Sequence, residues 1–224
     1  LEPRSHAAMG GNYSFPGFDV IGSTPVLRVN CHGKRYSDEG FGTHILAATA
    51  GAKQPNGMLW GVFDSRIEEQ LTYQTPCHAV LDYTDAERMA RFRAALEKAR
   101  AHQGQRTTNQ DMAGDRRPLC CAATLEDLAR LMFESAADQA AFLDEVKRYN
   151  ALCHAGKDVD FGKDSRLLFP LTQGPFYACG QLKDSHHPGG QSLKLLVTVS
   201  GLLIDEHQQV LDEHFEPIDG LYAT

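Results

Sequence analysis

The strongest constraint on the fold is a central run of helix signals, residues 84–156, that lies between two regions of strand signals. Three segments of this run start with a hydroxyl residue that can cap a helix and carry an acidic residue three positions later. The order strand, helices, strand predicts an α+β lobe inserted between two edges of another domain. The capping pairs are Thr84 with Glu87, Thr124 with Asp127, and Ser135 with Asp138.

Apolar residues recur at helical spacing in the first and last of these segments, which predicts a core-facing side for each helix. Gly104 and Gly156 are placed to end the two helices. Stripes of this kind are typical of a packed core rather than of a cofactor site. They consist of Met89, Phe92 and Leu96 in the first segment and of Phe142, Val146, Tyr149 and Leu152 in the last.

Short apolar runs on both sides of the helices predict strands. Residues 24–30 and the turn at Gly33 predict a hairpin, and residues 57–64 predict a buried strand. Polar residues, glycine and proline are frequent in two other segments, 104–118 and 156–180, which we interpret as loops. Three further strands are predicted at residues 192–201, 202–212 and 217–223.

Composition and charge argue against several classes of protein. No apolar run approaches the ~18 residues that a membrane-spanning helix needs. The net charge is −7 and there is no dense basic cluster, which argues against a nucleic-acid surface. The chain starts at Leu1 without an initiator methionine and stops after a predicted strand. We therefore expect both ends to be cuts in a longer, soluble protein, whose location, cytoplasmic or exported, stays open.

The chain has 6 cysteines, and none of them forms a C-x-x-C motif. Adjacent Cys120 and Cys121 are an awkward start for a disulfide framework, and a chain of this length needs no such staples. We therefore expect buried thiols. The three Cys-His dipeptides are weak candidates for a metal site, because neighbouring residues in a strand point to opposite faces. The His186-His187 pair has no nearby pair of carboxylate partners and is more typical of a surface loop. No metal ligand is assigned.

Five motifs follow one another in a fixed order between residue 24 and the end of the chain. Together they resemble the fumarate reductase and succinate dehydrogenase flavoprotein superfamily, which also contains 3-oxosteroid dehydrogenases. Each motif is weak alone, and the order makes the signal specific. The motifs are VLRVNCHGKRYSDE (26–39), TLEDLARLM (124–132), FLDEVKRYNALCHAGKDVDFGKD (142–164), GPFYA (174–178) and SGLLIDEHQQVLDEHFEPIDGLYAT (200–224).

The resemblance implies an FAD-dependent oxidoreductase, of which this chain covers the lobe that closes over the flavin. The implied fold is α+β: a helical capping lobe with a small mixed sheet, flanked by strands of an incomplete FAD-binding domain. The implied division is an edge segment of the FAD-binding domain at 1–24, a capping domain at 25–180 and returning strands at 181–224. The G-x-G-x-x-G nucleotide fingerprint is absent from the sequence, so most FAD-binding elements would lie outside this chain.

The implied reaction is hydride transfer between flavin and an activated carbon–carbon double bond. Several residues that fumarate reductases use for it are replaced. Thr43 or His44 stands where the family has its proton-donating arginine, and apolar Val197 replaces a substrate-binding histidine. Phe18 and Ile21 lie in the region of the family's proton-supply residues. We therefore expect a substrate less anionic than fumarate, or a carboxylate clamp from outside this chain.

By position, the resemblance implies three candidate catalytic residues. His6 falls near a substrate-facing histidine of the family, although an exposed loop histidine is an equally good interpretation. Tyr13 could line an aromatic pocket and act as an acid, or could simply pack beside proline and glycine. His44 could replace the missing arginine as proton donor, because the reference pKa of histidine is near neutrality.

The resemblance also implies cofactor contacts near the C-terminal end. Ser200 and Gly201 match a turn of small residues that lies against the flavin ring, where small size allows close backbone approach. Ala223 and Thr224 directly precede the position of the family's flavin-binding turn. Arg35 and Glu39 carry the first motif and are interpreted as structural.

Two other functions stay open from the sequence alone: a flavin-free module that binds a small molecule, and a domain stabilised by zinc on its Cys-His pairs. For the flavoenzyme, the expected partners are a small-molecule substrate, the remainder of the flavoprotein with its nucleotide-binding fold, and an electron-donor protein. The 224-residue chain alone is expected to be inactive.

Overall fold

The computed structural model describes residues 24–41, 50–51, 53–55, 59–73, 83–108, 118–181 and 201–223. The chain divides into two compact units, Leu1–Leu193 and Lys194–Thr224. The expected domain boundaries after residues 24 and 180 stay predictions.

The described part of the first unit combines a sheet with four α-helices. The strand order is β1-β2-β5-β4-β3, and every described pair is antiparallel. The α+β class is confirmed, while the sheet that was expected to be mixed is antiparallel, because a periodic pattern carries no signal of strand direction. The strands are β1 (Leu27–Asn30), β2 (Leu59–Phe63), β3 (Arg106–Thr108), β4 (Pro118–Ala122) and β5 (Phe176–Gln181). The helices are α1 (Ile67–Leu71), α2 (Ala86–Ala101), α3 (Leu125–Met132) and α4 (Ala136–Ala155).

Helices cover both faces of this sheet and create two cores. Neighbouring residues of a strand point to opposite faces, so Cys121 packs in one core and Cys120 in the other. Burial raises the pKa of the Cys120 thiol to about 11. The first core includes Phe63, Ile67, Leu71, Met89, Phe92 and Leu96. The second includes Val29, Trp60, Leu128, Phe142, Val146 and Tyr149. Both predicted helix stripes are therefore core residues.

The ends of α3 and α4 follow their sequence signals. The Thr124 hydroxyl oxygen accepts a hydrogen bond from the backbone amide of Asp127 at 3.1 Å. The Ser135 hydroxyl oxygen accepts one from the amide of Ala137 at 3.2 Å. Gly156 ends α4 in the left-handed conformation with φ 65°. These contacts satisfy backbone groups that a helix end leaves unpaired, so the predicted boundaries are confirmed.

The start of α2 differs slightly from the capping box predicted at Thr84. The helix begins at Ala86, and the carboxylate of Asp85 accepts a hydrogen bond from the amide of Glu87 at 3.0 Å. An aspartate can cap a helix as a hydroxyl residue does, which moves the boundary by one residue.

Two strands lie where loops were predicted, so those two loop predictions were wrong in part. β3 falls within 104–118, and its polar sequence forms an edge strand of the sheet. β5 falls at the end of 156–180 and lies between β2 and β4. A strand buried on both faces shows no polar–apolar alternation, which removes the usual strand signal.

The second unit contains a two-stranded antiparallel sheet of β6 (Gln209–Leu211) and β7 (Pro217–Tyr222) within its described residues. Both strands lie within the segments predicted to be extended. An isolated bridge between Ile204 and Val210 adds a short pairing before β6.

Two turns of the second unit have the same construction. Asp205 accepts hydrogen bonds through Oδ1 from the backbone amides two and four residues later, at 2.9 and 2.8 Å. Asp212 does the same at 2.8 and 3.0 Å. Each turn passes through a left-handed residue, Gln208 in the first and Phe215 in the second, both with φ 65°. The short sequence DEH occurs at 205–207 and again at 212–214, and both copies form the same type of turn.

Candidate functional site

Most of the predicted site residues lie outside the described residues, and their roles stay predictions. Gly201 is described: it is exposed, and among the described residues no atom beyond its chain neighbours lies within 4 Å of where a Cβ would be. Ala223 is also described, and its backbone amide donates to the carbonyl of Gln208 at 3.0 Å. The residues outside the described ranges are His6, Tyr13, His44, Ser200 and Thr224.

The first motif folds around a buried group of charges. Arg35 donates through Nε and Nη2 to the two carboxylate oxygens of Glu39, both at 2.8 Å. Nη2 also donates to Oδ2 of Asp158 at 2.8 Å. The ammonium of Lys163 lies 3.2 Å from Oε2 of Glu39. Every one of these four side chains is at most 1% exposed, so two cations and two carboxylates compensate each other away from water.

Asp158 organises the turn that follows α4. Its Oδ1 accepts hydrogen bonds from the backbone amides of Asp160 and Phe161, at 3.0 and 3.3 Å. Its Oδ2 accepts one from the amide of Lys163 at 3.1 Å. The same carboxylate therefore shapes the turn and binds Arg35, which connects the first motif to the turn after the long helix.

Lys163 joins two further parts of the fold. Its ammonium donates to the carbonyl of Pro25 at 2.6 Å and to the hydroxyl of Tyr149 in α4 at 3.0 Å. With Glu39, these give one acceptor for each of its three N–H donors. The Arg35 guanidinium lies over two aromatic rings, 5.2 Å from the centroid of Tyr149 and 4.9 Å from that of Phe161. Such contacts favour a cation.

The pKa shifts of this cluster show which protonation states it holds. Burial alone would raise the pKa of Glu39, but Lys163 and Arg35 lower it below its usual value. Burial also opposes ionisation of Asp158, yet hydrogen bonds from Arg35 and from backbone amides lower its pKa to about 2. Burial lowers the pKa of Lys163 and raises that of Tyr149. At neutral pH both carboxylates are therefore ionised.

Arg28 in β1 lies next to this cluster. Its backbone amide donates to Oε1 of Glu39, and its Nη2 donates to the carbonyl of Thr24, both at 3.2 Å. The side chain is buried, and burial lowers its pKa, although the charges of Tyr36 and Glu39 oppose this. Within the described part of the chain, Nε of Arg28 has no hydrogen-bond partner.

The charged groups of this cluster are buried and paired with one another. The cluster is therefore better suited to hold backbone segments together than to bind a ligand or react with it. The interpretation of Arg35 and Glu39 as structural agrees with these contacts. Sequence reasoning missed Asp158 and Lys163. The segment GKDVDFGKD at 156–164 carried a signal, since it belongs to one of the five motifs and contains charged residues that can pair with Arg35 and Glu39 of the first motif.

Other kinds of site are not evident among the described residues. There, no group of three or more His, Cys, Asp or Glu side chains could hold a metal ion. A surface depression of about 290 Å³ lies beside Gly104 and α3, and none of the predicted site residues lines it. Of the helices that the structure describes, none is both long enough and apolar enough to span a bilayer.

Comparison with known proteins gives relatives over nearly the whole chain. No protein-family model matches. A vinyl phenol reductase of Lactiplantibacillus plantarum is 26% identical over 208 residues, which are 92% of this chain and 36% of that protein. "Probable fumarate reductase Ifc3" of Shewanella frigidimarina is 25% identical over 221 residues, or 99% of this chain and 29% of that protein. The chain thus spans about a third of the length of the curated relatives it matches.

A solved structure supports the fold. The 3-ketosteroid-Δ4-(5α)-dehydrogenase from Rhodococcus jostii RHA1 superposes with a TM-score of 0.51 at 20% identity, over 91% of this chain and 32% of that one. This similarity concerns the fold alone. The sequence relatives confirm the resemblance that the five motifs predicted: the chain is similar over nearly its whole length to fumarate reductase flavoproteins and related reductases.

Proposed function

We propose that this chain is the capping part of an FAD-dependent oxidoreductase that reduces an activated carbon–carbon double bond. The observation that carries the proposal is the match over 92% of the chain to a vinyl phenol reductase. Further relatives are a urocanate reductase and a 4-oxocyclohexanecarboxylate 2-dehydrogenase, whose names describe related chemistry. When bound, FAD would supply the hydride, and the protein would supply orientation and a proton.

The cofactor contacts proposed for this chain are few. Ser200, Gly201, Ala223 and Thr224 would lie along the flavin. No described residue beyond its chain neighbours fills the space at Gly201, which fits close approach of a flat ring system to the backbone. The nucleotide-binding fold would come from other parts of the protein.

We propose a substrate less anionic than fumarate, such as an alkene conjugated to an aromatic ring. A vinyl phenol, the substrate class named for one relative, is of this kind. Val197, Thr43 and His44 stand where fumarate reductases have residues that bind or protonate a dicarboxylate. In the buried cluster, Arg35 and Lys163 are already paired with carboxylates of the chain itself.

His44, Tyr13 and His6 are the proposed catalytic residues. In the reductive direction a hydride adds to one carbon of the double bond, and a proton adds to its neighbour. His44 as imidazolium would donate that proton, and Tyr13 would contact the aromatic part of the substrate or act as an acid. His6 would face the substrate.

The test uses the longer flavoprotein that carries this chain. Its flavin is reduced under anaerobic conditions and then mixed with 4-vinylphenol or with fumarate, and flavin absorbance is followed by stopped flow. We expect reoxidation to be at least tenfold faster with 4-vinylphenol than with fumarate, and 4-ethylphenol to be the product. Faster reoxidation by fumarate would contradict the proposed substrate class. The 224-residue chain alone should show no turnover.

A matched pair of histidine variants tests the catalytic role. His44→Gln should lower the rate of flavin reoxidation at least tenfold, whereas His32→Gln should leave it unchanged, because His32 is an exposed residue of the hairpin turn. Equal rates in both variants would remove His44 from the mechanism. If the longer protein is purified without flavin and takes up none, the flavin-free binding module replaces the present proposal.

A further inference from the structure

Lys163 contacts three separate parts of the chain: Pro25 before β1, Glu39 at the start of a 3₁₀ turn, and Tyr149 in α4. We propose that Lys163 is a positioning residue, whose ammonium fixes the two points of the chain that adjoin the candidate catalytic segments. This inference rests on the proposed function, since it concerns the placement of His6, Tyr13 and His44.

The first step is the geometry of the ammonium group. It lies 2.6 Å from the carbonyl of Pro25, 3.0 Å from the hydroxyl of Tyr149 and 3.2 Å from Oε2 of Glu39. The side chain is 0% exposed, so no water competes for these donors. Loss of the ammonium would take a donor from three buried acceptors at once, although Oε2 of Glu39 would keep its hydrogen bond from Arg35.

The second step is the rigidity of the support. The backbone of Lys163 is held by Asp158, which accepts a hydrogen bond from its amide at 3.1 Å. Tyr149 belongs to α4, a 20-residue helix with Ser135 as N-cap and Gly156 as C-cap. Asp158 therefore holds the backbone of Lys163, and Tyr149 holds its ammonium group. This support is independent of the contacts with Pro25 and Glu39.

The third step is what the two held points connect. Pro25 lies two residues before β1 and follows the segment 1–24, which contains His6 and Tyr13. Glu39 begins a short 3₁₀ turn, Glu39–Phe41, and His44 follows three residues after the turn. Because Lys163 binds both points, it sets the separation between the starts of the two segments.

The fourth step separates positioning from catalysis. The ammonium is closed to solvent, and its three donors are occupied by groups of the chain. A group of this kind cannot reach a substrate, so its effect must pass through the segments that it holds. Catalysis depends on the placement of reacting groups to within about 1 Å, and a small shift at these points is sufficient to slow turnover.

The test compares two variants in the longer flavoprotein. Lys163→Met removes the ammonium and keeps a chain of similar length. Arg66→Met is the matched control, because Arg66 also pairs with a buried carboxylate, that of Asp64, but binds neither Pro25 nor Glu39. We expect Lys163→Met to lower kcat at least tenfold with KM changed less than threefold and flavin content unchanged. Arg66→Met should keep kcat within twofold of the wild type.

Hydrogen–deuterium exchange gives a readout that does not need turnover. Lys163→Met should raise exchange in peptides that cover 24–30 and 35–41, and Arg66→Met should raise it near Thr172 instead, where Arg66 binds. A kcat within twofold of wild type in Lys163→Met, or an equal loss in Arg66→Met, overturns the inference. If the wild-type protein has no turnover, the proposed function fails, and unchanged exchange at both points then overturns this inference separately.

Discussion

The two units of the chain turn the backbone through left-handed residues in different ways. In the described part of the first unit, the residues with positive φ are glycines: Gly33, Gly104, Gly156 and Gly162. In the described part of the second unit, Gln208 and Phe215 adopt this conformation with φ 65°, in addition to Gly220. Among the described residues, glycines adopt the left-handed conformation in the first unit, whereas two larger residues and one glycine adopt it in the second.

The contacts of the turns explain part of this difference. Gly33 lies directly against α4, where a side chain would collide with the helix backbone. The turns at Gln208 and Phe215 are held by Asp205 and Asp212, each of which accepts two backbone amides. These hydrogen bonds offset the roughly 1–2 kcal/mol that a left-handed non-glycine residue costs. At position 33, the lack of space requires glycine. At positions 208 and 215, the hydrogen bonds allow a residue that is less favourable than glycine in the left-handed conformation.

The largest effect is expected for Gly33→Ala. The new Cβ would lie 2.7 Å from the backbone nitrogen of Phe142 and 2.8 Å from the carbonyl oxygen of Asp138, at a φ of +69°. Steric overlap and the left-handed backbone together should lower the free energy of unfolding by about 3 kcal/mol. Urea unfolding followed by far-UV circular dichroism measures this change.

Gly156→Ala is the matched control for Gly33→Ala. Gly156 has a similar φ of +65°, but no atom of the described residues beyond its chain neighbours lies within 4 Å of the position of its Cβ. Its cost should be about 1 kcal/mol, from conformation alone. Equal costs for the two variants would show that the contact with α4 adds nothing to the demand for glycine at position 33.

The second prediction concerns Asp158 and Asp205, which both accept two backbone amides through one oxygen. Asp158 is buried and also binds Arg35, so Asp158→Asn should lower the free energy of unfolding at pH 7 by about 2 kcal/mol. Asp205→Asn, in an exposed turn that lacks such an arginine partner among the described residues, should cost at most about 1 kcal/mol.

The pH dependence gives the sign of the Asp158 contribution. Its pKa in the folded protein is about 2, below the value of roughly 3.9 for an unfolded chain. A lowered pKa contributes stability that is complete above about pH 4 and is lost as the pH falls toward 2. The difference between wild type and Asp158→Asn should therefore shrink between pH 4 and pH 2, as measured by urea unfolding at several pH values. A difference that stays constant over this range contradicts the assignment.

The smallest effect is expected for Phe215→Gly, and it should be stabilising. Phe215 is 72% exposed, so little buried area is lost, while glycine relieves the left-handed strain. The free energy of unfolding of the second unit should rise by well under about 1 kcal/mol, because the freedom that glycine gains in the unfolded chain offsets part of the relieved strain. Phe215→Ala removes the same ring and keeps the strain, so it should show no gain. A gain in both variants would place the cause in the exposed ring rather than in the backbone.

The sequence predicted the helical part of the fold well, because its signals are local. The hydroxyl caps at Thr124 and Ser135 and the glycine at position 156 act on backbone groups a few residues away. The helix stripes were equally readable. In contrast, β5 was missed because its burial depends on helices and strands that are distant in sequence, and such burial removes the alternation that marks a strand.

The buried cluster was predictable only in part. Arg35 and Glu39 are four residues apart and share a motif, so their structural role could be inferred. Asp158 and Lys163 come from a segment more than 100 residues away, and only the folded chain brings them to the same place. The candidate catalytic and cofactor residues rest on the resemblance to the family and stay predictions.

The placement of Cys120 and Cys121 has a practical consequence. These two thiols are adjacent in β4, yet each is buried in a different core. A thiol-specific reagent can modify either one only after the core around it opens to solvent. The order in which these two native thiols are labelled would therefore show whether the two helical layers detach from the sheet together or one before the other. No cysteine needs to be introduced for this measurement.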